Sequence, residues 1–262
     1  MNKLNKQTRL RILRCLLEGN GIRGTARIVG VSKTTVLKLL TDAGQVCWEY
    51  HQETMRGLKC TDVQVDELWS FVGSKKQDAW TWTAVCAHSK AVLTWYTGLR
   101  DSESANVFIQ KLKGVLASAH TYITSDGLKA YEGAIKRLMP RCSYGMMVKH
   151  YVKREDGKNL TIIKRVIQGK PKVKELSTSF VERQNLSIRH HIRRFTRKTN
   201  GFSKTQANHT HALSLWFYYY NFVRCHSTLG TTPAHMLGLT KPRGLETVLE
   251  MIDEGKEFRE AG

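Results

Sequence analysis

Proline is scarce, with four in 262 residues, and no low-complexity tract appears. With 41% hydrophobic and 24% charged residues, this chain is expected to fold rather than remain disordered. Its length allows one large domain or two modest ones. Long apolar runs are missing too. The longest, residues 212–223, is interrupted by Ser214 and Asn221 and reads as a buried helix, too short to cross a bilayer. The N-terminus has no apolar signal core, so export is not expected. Six cysteines, Cys15, Cys47, Cys60, Cys86, Cys142 and Cys225, contain no CxxC pair. A zinc ribbon and a disulfide framework are therefore poorly supported, and a reducing, intracellular setting is expected.

Basic residues, by contrast, are in surplus. The net charge is +20 and it is uneven: +7 in residues 1–60, +1 in 61–140, +13 in 141–204 and −1 in 205–262. A solvated surface is the bland reading. Charge packed this densely repels itself unless a polyanion is near. Nucleic acid fits best, because displaced counterions repay the clustering; nothing resembles a lipid anchor, so a membrane is the weaker partner.

The first basic block predicts three short helices. Residues 6–18 place Ile12, Leu13, Leu16 and Leu17 on one face. Residues 22–29 suit a second helix. Gly30 is free to take positive φ in the turn, and Ser32 is placed to cap a third helix over 33–40. This is the rhythm of a helix-turn-helix, whose last helix enters the major groove; a plain three-helix bundle is the alternative. Lys33, Thr34, Thr35 and Lys38 are the groove-facing candidates, with Arg23 beside them.

From Val63 the pattern becomes that of strands. Three are expected over 63–72, 79–87 and 91–99, joined by short turns into a meander. A helix over 102–119 follows, with Val107, Phe108, Leu112, Val115 and Leu116 inward. Then come a strand over 122–125, ending at Asp126-Gly127, and a helix over 128–138. Residues 151–174 read as a possible hairpin insertion. Three strands, a helix and a strand ending in Asp-Gly is the order of a ribonuclease H-like core.

Asp66 sits within an otherwise apolar strand, where a carboxylate is costly unless paired or metal-bound. Asp126 alone could be a turn residue. The first and fourth strands are neighbours in this core, so the two acids can meet. Glu67 points to the opposite face by strand alternation. A further helix is expected over 180–198, capped by Ser177-Thr178-Ser179, with Glu182 in its first turn. Glu182, Leu186, Arg189, Arg193 and Arg197 would share one side of it. Glu182 also suits the positive end of a helix dipole, and the arginines a solvated face. Arg183, Arg194 and Lys198 add to the same basic stretch.

Phosphodiester cleavage is slow because the phosphate repels its nucleophile. Two Mg²⁺ ions roughly 3.5–4 Å apart overcome this. Mg²⁺ takes oxygen ligands, and three clustered acids supply them. Asp66 is expected to bridge both ions, with Asp126 and Glu182 each completing one and Mn²⁺ as a substitute metal.

These strings resemble a known family. Val65-Asp66-Glu67-Leu68-Trp69-Ser70-Phe71, Thr124-Ser125-Asp126-Gly127-Leu128-Lys129-Ala130-Tyr131 and Val181-Glu182-Arg183-Gln184-Asn185-Leu186 are similar to transposases of the insertion sequence one family. The stretch from Arg194 to Lys204 agrees. The resemblance runs from the helix-turn-helix to about Leu239. It implies an Asp-Asp-Glu triad at Asp66, Asp126 and Glu182 on a ribonuclease H-like fold. Tyr220 to His226 resembles the end of integrase-like cores, which makes Arg224 and His226, with Asn185, supporting candidates. The zinc element of some members is absent here.

The expected fold is thus α/β: a ribonuclease H-like core, a mixed five-stranded sheet flanked by helices, with an N-terminal all-α helix-turn-helix domain. The expected division is 1–45 for that domain, 46–60 as linker, 61–240 as catalytic domain and 241–262 as a tail. The resemblance implies double-stranded DNA partners (terminal inverted repeats and target DNA), a homodimer or larger assembly on paired ends, no membrane, and a cytoplasmic, nucleoid-associated setting in a prokaryotic cell. A non-catalytic DNA-binding regulator, a domesticated descendant and another ribonuclease H-like nuclease are the rivals.

Overall fold

The computed structural model describes residues 4–154 and 157–260, the side chains at 150–160 and 256–260 excepted. The chain forms two compact units. One holds residues 55–68 and 79–185; the other holds 1–54, 69–78 and 186–262.

The first unit is built on the sheet. β1 is Asp62–Phe71, β2 Asp78–Cys86 and β3 Val92–Gly98. β4 is Tyr122–Ser125, β5 Ser143–Arg154 and β6 Gly157–Gln168. The order across the sheet is β3-β2-β1-β4-β5-β6. β1–β4 and β4–β5 are parallel, while β2–β3 and β5–β6 are antiparallel. This is the expected mixed ribonuclease H-like sheet, with one correction: it has six strands, not five. The sixth comes from residues 151–174. β5 runs on into that stretch as far as Arg154, and β6 pairs antiparallel with it; residues 155–156 lie outside the described residues.

Helices α4 (Ser102–Val115) and α5 (Lys129–Leu138) pack on each other. Asp101 caps α4 by accepting the Ser104 N–H at 2.8 Å. Phe108, Ile109 and Leu112 are buried, but Val107, expected inward, is exposed. Trp82 anchors this core. Its ring meets Tyr131 edge-on at 5.2 Å, and its N–H donates to the Leu99 carbonyl at 3.0 Å.

The second unit is largely helical. α1 is Lys6–Leu17, α2 Ile22–Val29 and α3 Lys33–Thr54. Gly30 takes φ 77° and Ser32 Oγ accepts the Thr35 N–H at 3.1 Å, so the turn is formed as expected. α3 does not stop at residue 40. Its buried stripe runs on through Ala43, Cys47 and His51, nothing between breaks a helix, and the expected linker over 46–60 begins inside it.

α6, Ser179–His191, leads from the sheet unit into this one. Then come α7 (Gln206–Tyr218), a π turn over Tyr219–Val223, α8 (Pro233–Met236) and α9 (Glu246–Glu260). α7 lies so close to α3 that a Cβ on Gly44 would sit 2.3 Å from His211 Cβ. His209 is buried between Ser70 Oγ at 3.2 Å and Ser203 Oγ at 2.8 Å, and burial holds its pKa down at about 3. The acidic tail is a helix with a partner. Asp253 accepts from the two terminal guanidinium nitrogens of Arg9, Nη1 and Nη2, at 2.9 and 3.0 Å, and Glu250 and Glu246 face Lys6 and Arg14.

Candidate active site

The sheet brings the acids together by parallel pairing of β1 with β4. β1 and β4 pair only from Asp62↔Tyr122 to Gln64↔Thr124. Beyond Gln64 the two strands have no partner residues in common. Asp66 lies two residues past the last pair, and Asp126 directly follows β4. Crevices at the carboxyl ends of parallel strands are where open α/β sheets place their chemistry.

Ligand oxygens of Asp66, Glu67 and Asp126 all lie within 4.8 Å of one another. Glu67 therefore corrects the expectation from strand alternation. Alternation fixes where Cβ points, not where a long side chain ends. Here Arg100 Nη2 and Nε reach Glu67 Oε1 at 2.6 and 2.8 Å, and Tyr131 donates to Oε2 at 3.1 Å. Arg100 Nη2 also stands 4.0 Å from Asp126 Oδ2, so one guanidinium serves both acids. Asp126 Oδ1 accepts the Leu128 N–H at 2.9 Å, which fixes its carboxylate at the start of α5.

Asp66 receives a hydrogen bond from Asn185 Nδ2 at 2.8 Å. Burial pushes its pKa up to about 8, and the charges of Glu67, Asp126 and Glu182 push the same way. Burial and Asp126 likewise raise Glu67, against the pull of Arg100 and Tyr131. Three clustered carboxylates, one buried and two half-buried, form an all-oxygen donor set suited to a hard divalent cation.

Glu182 is not in that cluster. It lies in the first turn of α6, where Lys149 Nζ and Thr178 Oγ1 both donate to Oε1 at 2.5 Å. Its charge still reaches Asp66. The placement of α6 depends on Gln64, a residue sequence reasoning missed. Gln64 Oε1 accepts the N–H groups of Phe180 and Val181 at 2.8 and 3.3 Å, satisfying two free donors at the helix start. Gln64 and Asp66 are two apart on β1, so one strand face carries both the helix cap and the acid. That spacing was the available signal for Gln64. Nothing local in the sequence marks Arg100 or Lys149, which arrive from distant segments.

The basic candidates are spread more widely. α6 ends at His191, not Lys198, so Glu182 does not share a helix face with Arg193 and Arg197. The end is built by side chains. Thr196 Oγ1 donates to the Arg189 carbonyl at 3.2 Å, and Arg189 Nη1 donates to the Phe195 carbonyl at 3.0 Å. Arg193–Phe195 form a separate 3-10 turn. Arg23, Lys33, Thr34, Arg183, Arg193, Arg197 and Lys198 are exposed. The Thr35 hydroxyl is taken by Ser32 at 2.8 Å, and Lys38 faces Asp42 at 3.5 Å. Arg194 binds Ser203 Oγ and the Asn208 carbonyl at 3.3 and 2.9 Å. Arg224 donates to His191 Nε2 at 3.1 Å, and the His226 backbone N–H binds the Thr231 carbonyl at 2.8 Å. Both belong to the helical unit, not to the unit holding the acids.

Among the described residues, no helix is long and apolar enough to cross a membrane. Comparison with known proteins gives three findings. A family model described as "DDE domain" matches residues 60–178, which include Asp66 and Asp126. The "Insertion element iso-IS1n protein InsB" of Shigella dysenteriae is 30% identical over 146 residues, covering 56% of this chain and 86% of that protein. A simian T-cell lymphotropic virus intasome, solved by cryoEM in complex with the PP2A regulatory subunit B56 gamma, aligns over 87% of this chain and 74% of its own at 15% identity and a TM-score of 0.43. On the extent of its match to the InsB protein, the chain belongs to the insertion-sequence transposases of the DDE type.

Proposed function

We propose that the chain binds the terminal inverted repeats of its own element, frees 3′-hydroxyls by hydrolysis, and joins them to target DNA by transesterification. The observation that carries this reading is the carboxylate cluster at the carboxyl ends of β1 and β4. Asp66 and Asp126 would hold Mg²⁺, or Mn²⁺ in its place, with Glu182 added from α6. When bound, such ions activate the attacking oxygen and stabilise the leaving one.

The chain's own residues have separable tasks. Asn185 orients the Asp66 carboxylate. Arg100 and Tyr131 hold Glu67, so Glu67 acts as a positioning residue for Arg100 beside Asp126 rather than as a free ligand. Gln64 sets the start of α6 and with it Glu182. In this reading residues 1–45 with their helix-turn-helix recognise the ends, the basic stretch around α6 holds backbone phosphates, and two or more copies assemble on paired ends.

The test is strand cleavage of a duplex carrying the element's own terminus, with Mg²⁺. Asp126→Asn is expected to abolish cleavage and strand transfer while DNA binding is kept. Cleavage at the normal rate in that variant would sink the assignment.

A further inference from the structure

The helical unit contains a cleft of about 740 Å³, and its chemistry is lopsided. Arg23, Arg27, Lys33, Arg193, Arg194 and Lys204 line it, and no aspartate or glutamate does. Among the described residues none of these six has a carboxylate partner. The contrast lies within the same unit. Lys6, Arg9, Arg14 and Lys38 are each paired to an acid. Arg194 is the clearest case, since burial lowers its pKa to about 10 and no nearby acid opposes the shift. A half-buried guanidinium without a counter-ion calls for an anion.

The floor is of the opposite kind. Leu16, Ile22 and Leu37 are partly exposed there, and Leu215 is buried below. Trp216 lines the same cleft; it is 1% exposed, and among the described residues its indole N–H has no acceptor. A duplex backbone would satisfy the cations yet leave this apolar floor wet, because its bases are stacked away inside the helix. An acidic peptide has the same shortcoming unless it carries apolar residues at matching places. A nucleotide pulled out of the duplex satisfies both halves. Its flanking phosphates meet the rim, its base covers the floor, and its ring edge offers acceptors.

We infer that this cleft receives an unpaired nucleotide of a DNA strand, with its base against Leu16, Ile22 and Leu37 and its phosphates between Arg27 and Arg193. The inference rests on the DNA-acting reading above. It adds a site separate in the chain from the carboxylates, and it places Lys33 and Thr34 of α3 on the wall of that site.

Gly24 supplies the test, because a Cβ added there meets nothing within 4 Å. The full chain is titrated, with a chelator present so that no cleavage occurs, against a labelled blunt duplex and the same duplex with a three-nucleotide single-stranded end. The expected result is binding roughly fivefold or more tighter to the tailed duplex. Gly24→Trp should bring that ratio to about one, Gly24→Leu should lower it partway, and thermal unfolding should show both variants folded. Arg27→Gln should reduce the salt slope on the tailed duplex by roughly 0.7–0.9. A ratio near one in the unaltered chain, or a ratio surviving Gly24→Trp, overturns the inference. So does a glutamate decapeptide displacing the tailed duplex as well as a thymidine decamer does. The transposase reading is judged separately, by cleavage in Mg²⁺. Loss of cleavage with the ratio intact would fail that reading alone, and cleavage with no tail preference would fail only the cleft.

Discussion

Lys149 Nζ stands 2.5 Å from Glu182 Oε1, so the third acid of the expected triad is already neutralised by a residue of β5. A metal ion held there as proposed would compete with that ammonium. Lys149→Met should free Glu182 and tighten Mg²⁺ binding by roughly two- to fivefold, the strength of a partly exposed pair. Calorimetric titration of the DNA-free protein measures it. Unchanged affinity would mean that Glu182 takes no part in holding the ion.

Glu67 has a nearly buried carboxylate, and two of its nitrogen contacts come from one residue, Arg100. Removing that partner leaves a buried charge with only the Tyr131 hydroxyl. Arg100→Gln should cost about 1–3 kcal/mol, discounted because Arg100 itself is partly exposed. Combining it with Glu67→Gln should recover much of the loss. Urea unfolding of the two single variants and the double variant completes the cycle.

Asp66 sets a pH dependence whose sign follows from its raised pKa. The folded chain keeps a proton on Asp66 up to about pH 8, whereas the unfolded chain releases it near the ordinary aspartate value of 3.8. Between those values the folded state binds more protons, so stability falls as pH rises through the window. In chelator, Asp66→Asn should match the parent below the unfolded value of 3.8 and exceed it increasingly above, reaching several degrees in Tm at pH 8, on the order of a few kcal/mol. Equal melting curves at pH 8 would contradict the burial and the neighbouring carboxylates that raise Asp66.

Two glycines in helices should respond oppositely to alanine. At Gly44 the new methyl meets His211 Cβ at 2.3 Å and its Cα at 2.5 Å. Gly44→Ala should destabilise by about 1–3 kcal/mol, because α3 and α7 must separate. At Gly114 in α4 nothing lies within 4 Å. Gly114→Ala should stabilise by about 0.5–1 kcal/mol through helix propensity alone. Chemical denaturation separates the two.

What the sequence disclosed was local. Gly30 and Ser32 announce their turn because φ freedom and a hydroxyl cap are properties of single residues. Asp66 stood out because an acid in an apolar strand needs a reason, and Asp126 because it ends a strand. The misplaced features depend on partners far along the chain. Glu67 is drawn in by Arg100, 33 residues away, and α6 is capped by Gln64, 116 residues before Phe180. The length of α6 was overestimated because its apolar spacing continues through Phe195, while the hydrogen bonds that end it come from the side chains of Thr196 and Arg189. The tail looked featureless because its acids acquire meaning only beside Arg9 and Lys6.

The backbone passes between the two compact units after residues 54, 68, 78 and 185. Neither unit is therefore a contiguous stretch of gene. A fragment ending at residue 60 would keep all of α3 but strip it of α7 and α9, exposing Cys47, Ala43 and the notch at Gly44 to water. Recombination between related elements cannot exchange the helical unit as a cassette. If α3 reads DNA ends as proposed, a new preference has to arise by substitution in place, on a helix whose other side is already committed to packing against α7 and α9.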